Sequence, residues 1–377
     1  MNASASLTSP PSSTSLPEEL AALPEEVGAE RWRYVRFVDH GDQSAALAQV
    51  IRPWLRSLVD DRLMDRFFFI RYELGGPHLR LRWRLSATDP SEAAKADREI
   101  TDRLETLALS WWREHPPGEP WDEEKVRRIN RDILGREPET VDEDPRFDHG
   151  TWHRAPMTFE TRRYGGPQHL ARALDLFGFS SVIALELVSE HGAGSPSFVP
   201  RVIGRLIRLA FALARDPDEL LSLVGYGRRF FGPTFDECQA QGDRFFAKAA
   251  DGLGRLAAAE LTAISRLLGP DGDTASGDES APHLERGFAA AARAYAEALP
   301  SEVDRWYALV SHLHMLANRV GAWNPQEVYW SRLAELACLR VQEQDPETWR
   351  RLWEVPRSTA FPAPGDALTL WRRDHHG

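Results

Sequence analysis

Cysteine is nearly missing from this chain of 377 residues: there are two, Cys238 and Cys338, with no paired spacing. Their scarcity excludes a disulfide framework and a C-x-x-C redox or zinc motif, and both read as buried thiols of a reducing cytoplasm. No stretch approaches the roughly 18 consecutive apolar residues that a bilayer crossing needs. The N-terminus has no basic segment followed by an apolar one, so neither a membrane anchor nor a signal peptide is expected. Positive charge is in deficit, with 57 Asp and Glu against 46 Lys and Arg, which argues against nucleic acid as a partner of the general field. Lysine is scarce beside arginine. Walker A, G-x-S-x-G and H-E-x-x-H motifs are absent. Gly225-Tyr226-Gly227-Arg228-Arg229-Phe230 lacks the third glycine and the preceding strand of a dinucleotide site. His312 and His314, two apart on a helix, diverge by about 200° and cannot share a metal. Neither metal nor cofactor is expected.

What the chain does have is aromatic residues, 13 of them tryptophan, and one densely polar hairpin. In Asp65 to Trp83, DRFFFIRYELGGPHLRLRW, an aromatic β-favouring run meets a Leu-Gly-Gly-Pro turn and then a strictly alternating strand. With period two, Leu79, Leu81, Trp83 and Leu85 share one face, and His78, Arg80, Arg82 and Arg84 share the other. Pairing Phe68, Ile70 and Tyr72 with the apolar face puts Arg71 on the basic one. Such a face suits carbonyls or anions, although Arg82 and Arg84 equally fit solvent or structural ion pairs.

Residues 1–28, rich in Ser, Pro and Glu, read as a disordered or loosely docked arm, and order is expected from Arg31. Residues 29–377 read as a single domain with added helices over about 201–281. Alternation predicts a strand from Trp32 to Val38, and helical spacing predicts helices over 43–58 and 90–114. Strand, helix, two strands and helix in that order indicate an α+β fold, an antiparallel sheet with helices packed on one face. From Trp121 to Met157 one helix and one strand are expected. Helices follow from Pro167, from Ser180 after Gly178, and over 197–215, 216–230, 234–267, 282–299, 301–321 and 325–343, a largely helical second half. Gly269 to Ala281 reads as a surface loop, and a last short helix lies near Leu368 to Arg372.

In SEVDRWYALVSHLHMLANRVG, Val303, Trp306, Val310, Leu313, Ala317 and Val320 recur at helical spacing and define a core stripe. One position round run Tyr307, Ser311, His314 and Asn318, a phenol, a hydroxyl, an imidazole and a carboxamide fitted to hydrogen bonding or proton transfer. Asn318 and Arg319 also fit the pairing of packed helices.

Three blocks in order, FFFIRYELGGPHLRLRW, FETRRYGGP with its following helix, and SHLHMLANRVG, resemble the C-terminal elimination domain of class I lantibiotic dehydratases and its stand-alone thiopeptide-type relatives. The resemblance spans roughly residues 31–345. Full-length members carry a much longer N-terminal glutamylation domain, and no segment of that size is in this sequence. The resemblance implies a peptide-modifying enzyme acting on a precursor with a leader and an azole-rich core, in the cytoplasm, with a homodimer left open.

The favoured activity is that of a pyridine synthase. It joins two dehydroalanines by formal [4+2] aza-cycloaddition and expels water and leader; the added helices and aromatic content favour it. The alternative is glutamate elimination from glutamylated Ser or Thr, and an alternative of another class is a non-catalytic leader-binding partner. On the favoured reading Tyr307 and His314 handle protons and Ser311 is a supporting donor. Arg71, His78, Arg80, Arg82, Glu160, Arg162, Arg163, Asn318 and Arg319 form the substrate-binding set.

Overall fold

A computed structural model of the chain describes residues 23–73, 75–117, 146–192, 195–231, 235–268, 283–300, 304–322, 324–354 and 367–376, with 122, 124 and 128 between. Strand β1 is Trp32–Val38, followed by helix α1 (residues 43–60), in which a π-helical turn, Leu47–Ile51, joins Gln43–Ala46 to Arg52–Asp60. The hairpin is β2 (Met64–Tyr72) and β3 (His78–Leu85), and α2 is Pro90–Glu114. After β4 (Thr151–Arg154) the chain is helical: α3 Leu170–His191, α4 Phe198–Leu213, α5 Pro217–Val224, α6 Tyr226–Phe231 and α7 Asp236–Leu268. The remaining helices are α8 His283–Ala298, α9 Arg305–Val320, α10 Asn324–Gln344, α11 Pro346–Glu354 and α12 Ala367–His376. This is the expected α+β architecture: a four-stranded antiparallel sheet in the order β2-β3-β1-β4, followed by a helical half.

The helices of the first half cover one face of the sheet. Trp54 of α1 meets Phe67 and Trp83 edge-on, and Trp112 of α2 stacks on Phe37. The register corrects one expectation. Phe68 pairs with Arg82, Ile70 with Arg80 and Tyr72 with His78, whereas Arg71 pairs with Leu79. Directly opposed residues share a face, so Arg71 lies on the helix-covered side and the basic face is shared with Phe68, Ile70 and Tyr72. The rings beside the arginines are therefore part of the basic face.

Among the described strands β2 is an end strand, and side chains seal its open edge. Ser181 of α3 accepts from the Phe69 amide, and Arg319 of α9 donates Nε to the Phe69 carbonyl at 2.9 Å. The Asn318 carboxamide accepts from the Arg71 amide and donates to the Arg71 carbonyl, both at 3.0 Å. It thereby pairs with β2 as a neighbouring strand would. Arg71 returns the contact, donating Nε to the Arg319 carbonyl and Nη2 to Ser44. Gly321, at φ 94°, ends α9 where a Cβ would come within 3.1 Å of the Arg71 guanidinium. A side chain there is strained by its backbone and crowded by that cation.

Several boundaries differ from the sequence reading. Glu25–Val27 is a docked turn with Val27 wholly buried, so order precedes Arg31; residues 1–22 lie outside the described residues. Gly178 does not interrupt α3, whose continuous helix packs that glycine near the Phe67 carbonyl. Gly225 divides the expected 216–230 helix into α5 and α6, and α11 was not anticipated. Trp371 of α12 donates to Glu186, which also holds Arg52, and Asp374 caps the first amides of α8. The expected 269–281 loop and Val303 lie outside the described residues. Cys338 is buried and Cys238 half-buried. No helix of the described residues is long and apolar enough to cross a membrane.

Asn318→Ala leaves an N–H and a C=O of β2 without partners, at a cost of about 1–3 kcal/mol each when buried. We expect the urea unfolding midpoint to fall accordingly with the slope of the transition unchanged, as chemical denaturation followed by circular dichroism would read.

Candidate functional site

The described residues offer no group of three or more His, Cys, Asp or Glu arranged to hold a metal ion. The candidate site lies where the basic face, the 155–166 segment and the exposed side of α9 meet. From the basic face comes Arg82. It is buried, with its guanidinium 4.5 Å from the Tyr34 ring centre and 5.3 Å from that of Phe68, and its Nε has no hydrogen-bond partner. Burial pulls it down to about 10, so it stays charged at neutral pH. Arg319 is wholly buried over Phe177, and burial brings it down to about 9. It spends Nε on Phe69 and Nη1 on Ser180, and its Nη2 has no partner. Neither cation makes an ion pair among the described residues.

Tyr164 closes the floor. Its ring meets Phe177 and His312, and burial pushes its phenol up to about 12. His312 is buried among Tyr164, Phe177 and Tyr295, with both ring nitrogens unpartnered among the described residues. Burial, then Arg319 and Arg163, hold it well below the usual imidazole range, so it is neutral. From the 155–166 segment Arg163 donates Nε to Ser311 at 3.0 Å and pairs with exposed Glu160 at 3.3 Å. Burial alone would lower Arg163, but Tyr164, Glu160 and Tyr307 raise it beyond the ordinary guanidinium value. Gly165 and Gly166, both at positive φ, turn the chain from Tyr164 into α3; at Gly165 a Cβ would strike Leu299.

On α9 the polar row falls on one side, as its spacing predicts, yet its members serve different partners. Tyr307 is 42% exposed and its ring stacks on Phe230. The Ser311 hydroxyl donates to the Tyr307 carbonyl one turn back and accepts from Arg163, so it positions that arginine and its proton is already used. His314 touches Phe230 and Phe231 and turns Nδ1 to the Glu327 carboxylate at 2.9 Å. Asn318 is committed to the β2 edge.

Other expected site residues are elsewhere. Arg71 is a clamp between β2, α9 and α1, held at about 10 by burial. Arg80 lies 3.4 Å over the Tyr72 ring centre and donates to His78 Nε2, while His78 Nδ1 donates to the Gly76 carbonyl. His78 is thus a neutral support for Arg80, and burial takes it down to about 3. Arg84 chelates Asp65 and is structural. Arg162 is exposed and its side chain makes no polar contact among the described residues. Phe230, Glu327, Tyr226 and Tyr34 escaped the sequence reading, because none carries a motif and each matters only through a neighbour distant in the chain.

The sequence profile of the family described as lantibiotic biosynthesis dehydratase, C-terminal, matches residues 32–338. The chain belongs to that family. Its fold is similar to that of the pyridine synthase TbtD from thiomuracin biosynthesis, at 16% identity and a TM-score of 0.60, over 83% of this chain and 98% of that one. It is similar to the tRNA-dependent lantibiotic dehydratase MibB from Microbispora sp. 107891, at 20% identity and a TM-score of 0.50, over 85% of this chain but 28% of MibB. TsrL matches at 16% identity and a TM-score of 0.51, over 87% and 99%. No curated protein sequence matches. In this member the second signature block supplies Arg163 and Tyr164, and the third supplies Ser311, His314 and Arg319.

The depressed His78 fixes the sign of one pH effect. Between pH of about 6.5 and about 3 the unfolded chain binds a proton that folded His78 refuses, so stability falls on acidification through that window and is independent of His78 above it. His78→Asn should lose less stability between pH 7 and pH 5 than wild type, as paired urea titrations would show; an equal loss contradicts the assignment.

Proposed function

We propose that the protein is a pyridine synthase of thiopeptide assembly, joining two dehydroalanines of a modified precursor peptide by formal [4+2] aza-cycloaddition with loss of water and leader. The observation that carries this reading is the Phe230 ring, which touches both Tyr307 and His314 and lies 6.0 Å from the Arg163 guanidinium. A phenol, an imidazole and a cation are so gathered around one aromatic wall. The match over almost the whole length of a pyridine synthase gives the reading further support.

In this reaction the amide next to one dehydroalanine becomes its imidic acid: nitrogen gives up a proton and oxygen gains one. His314 Nε2 takes the first and the Tyr307 phenol supplies the second, a division of labour that general acid–base catalysis needs. Arg163 and Arg82 hold the carbonyl oxygens, and the aromatic wall holds the planar rings of the core. Bringing two alkenes together is mainly orientation, which supplies roughly 7–11 kcal/mol in favourable model systems. The substrate is the precursor peptide; a cytoplasmic location and the oligomeric state belong to the same proposal.

A second reading, glutamate elimination, draws on Arg82 and Arg319, two buried cations without a carboxylate partner among the described residues that suit a departing glutamate.

Mass spectrometry after incubation with a dehydroalanine- and azole-bearing precursor decides. Loss of leader plus water supports the cycloaddition, glutamate release from a glutamylated peptide supports elimination, and no mass change with retained binding leaves a leader-binding partner. Tyr307→Phe and His314→Ala should each lower turnover by about 10²-fold or more. Arg82→Met should fold with an undiminished midpoint, since it removes an unpaired buried charge, while its turnover falls.

A further inference from the structure

Glu327 is wholly buried on α10 and belongs to none of the signature blocks. Two donors converge on its carboxylate. The Tyr226 hydroxyl reaches Oε1 at 2.5 Å, and His314 Nδ1 lies 3.0 Å from Oε1 and 2.9 Å from Oε2. Among the described residues no lysine or arginine pairs with it, and the imidazole and the phenol are the side chains that hydrogen-bond its carboxylate.

The backbone is built to bring these three together. The Gly227 amide donates to Ser331 Oγ, and a Cβ on Gly227 would sit 2.3 Å from that oxygen and 2.8 Å from Val328 Cα. Only glycine lets α6 approach α10 so closely, and the approach is what delivers Tyr226 to Glu327. Burial, reinforced by Glu327, raises the Tyr226 phenol well above its ordinary value and keeps it a donor. An acceptor-only carboxylate on Nδ1 requires the ring proton there. In the neutral ring Nε2 then carries the lone pair. It makes no hydrogen bond among the described residues, and the side chain keeps 17% exposure beside Phe230 and Phe231.

We infer that Glu327, oriented by Tyr226, is a positioning residue that locks His314 in the Nδ1-protonated tautomer and so makes Nε2 the proton acceptor of the site. The inference rests on the reading that His314 moves a proton, but the tautomer itself is measured without substrate. An aspartate that orients a catalytic histidine works by the same rule, and there the amide replacement imposes the wrong tautomer.

Long-range proton–nitrogen correlation on the 15N-labelled full chain in alkaline buffer, with His314→Gln to assign the resonance, reads the tautomer. Wild type should show a protonated Nδ1 and a bare Nε2. In Glu327→Gln one acceptor oxygen remains; Tyr226 takes it, the amide NH₂ faces Nδ1, and the ring should switch to the Nε2-protonated form. Turnover should then drop roughly 10-fold or more, in kcat rather than KM. Adding Tyr226→Phe frees the amide oxygen to turn to Nδ1, which should restore the tautomer and part of kcat. Glu327→Asp, which withdraws the carboxylate from the ring, serves should the glutamine variant not fold, and should give mixed tautomers with reduced kcat. An unchanged tautomer in Glu327→Gln or, should that not fold, in Glu327→Asp, or a switch that leaves kcat at the wild-type value, overturns the inference. A tautomer switch in a protein that forms no pyridine from the precursor supports the positioning by Glu327 and overturns the cycloaddition instead.

Discussion

The carboxamide of Asn318 on the open edge of β2 is the contact on which the rest of the structure turns. A sheet edge left open is a row of unsatisfied donors and acceptors, and here a helix, not a strand, closes it. Asn318 pairs with both polar groups of Arg71, Arg319 reaches the next carbonyl along, and Arg71 grips the end of the helix in return. This lock fixes the rotation of α9 about its axis. With Asn318 on the strand, the periodicity of the helix turns Ser311, Tyr307 and His314 toward the 155–166 segment and the Phe230 wall.

The site keeps polar groups at a cost that a purely structural core would avoid. Among the described residues Arg82 and Arg319 are buried cations without ion-pair partners, and His312 has two unpartnered nitrogens. Each such group is expensive to enclose unless something hydrogen-bonds it. Perturbed, under-satisfied groups gathered at one place mark functional sites more often than chance placement does. The contrast with Arg84, chelated by Asp65 on the same strand, or with Arg52 on Glu186, is plain. Those arginines are neutralised and hold the fold together, while Arg82 and Arg319 each keep a buried N–H group without a partner among the described residues.

Much of the architecture was legible in the chain itself. Period-two alternation located β1 and β3, an aromatic β-favouring run located β2, and period-3.6 spacing located most of the helices, because burial of one face imposes those periods locally. Core residues Val310, Leu313, Ala317 and Val320 followed from spacing alone, and the polar row beside them followed too. Even the family was readable from three short blocks. The register of the hairpin was not: alternation says which residues alternate, but a slip of one residue exchanges the faces, and only pairing with β3 put Arg71 among the apolar residues. Partner choice was likewise invisible. Glu327 lies 13 residues from His314 and 101 from Tyr226, and no local pattern signals that one carboxylate will receive both. The sequence by itself determined the elements, the core stripe and the family, since these depend on local periodicity and short signatures. Tertiary structure alone decided which arginines are clamps and which are left unpaired, because charge compensation in a core depends on what the fold brings near.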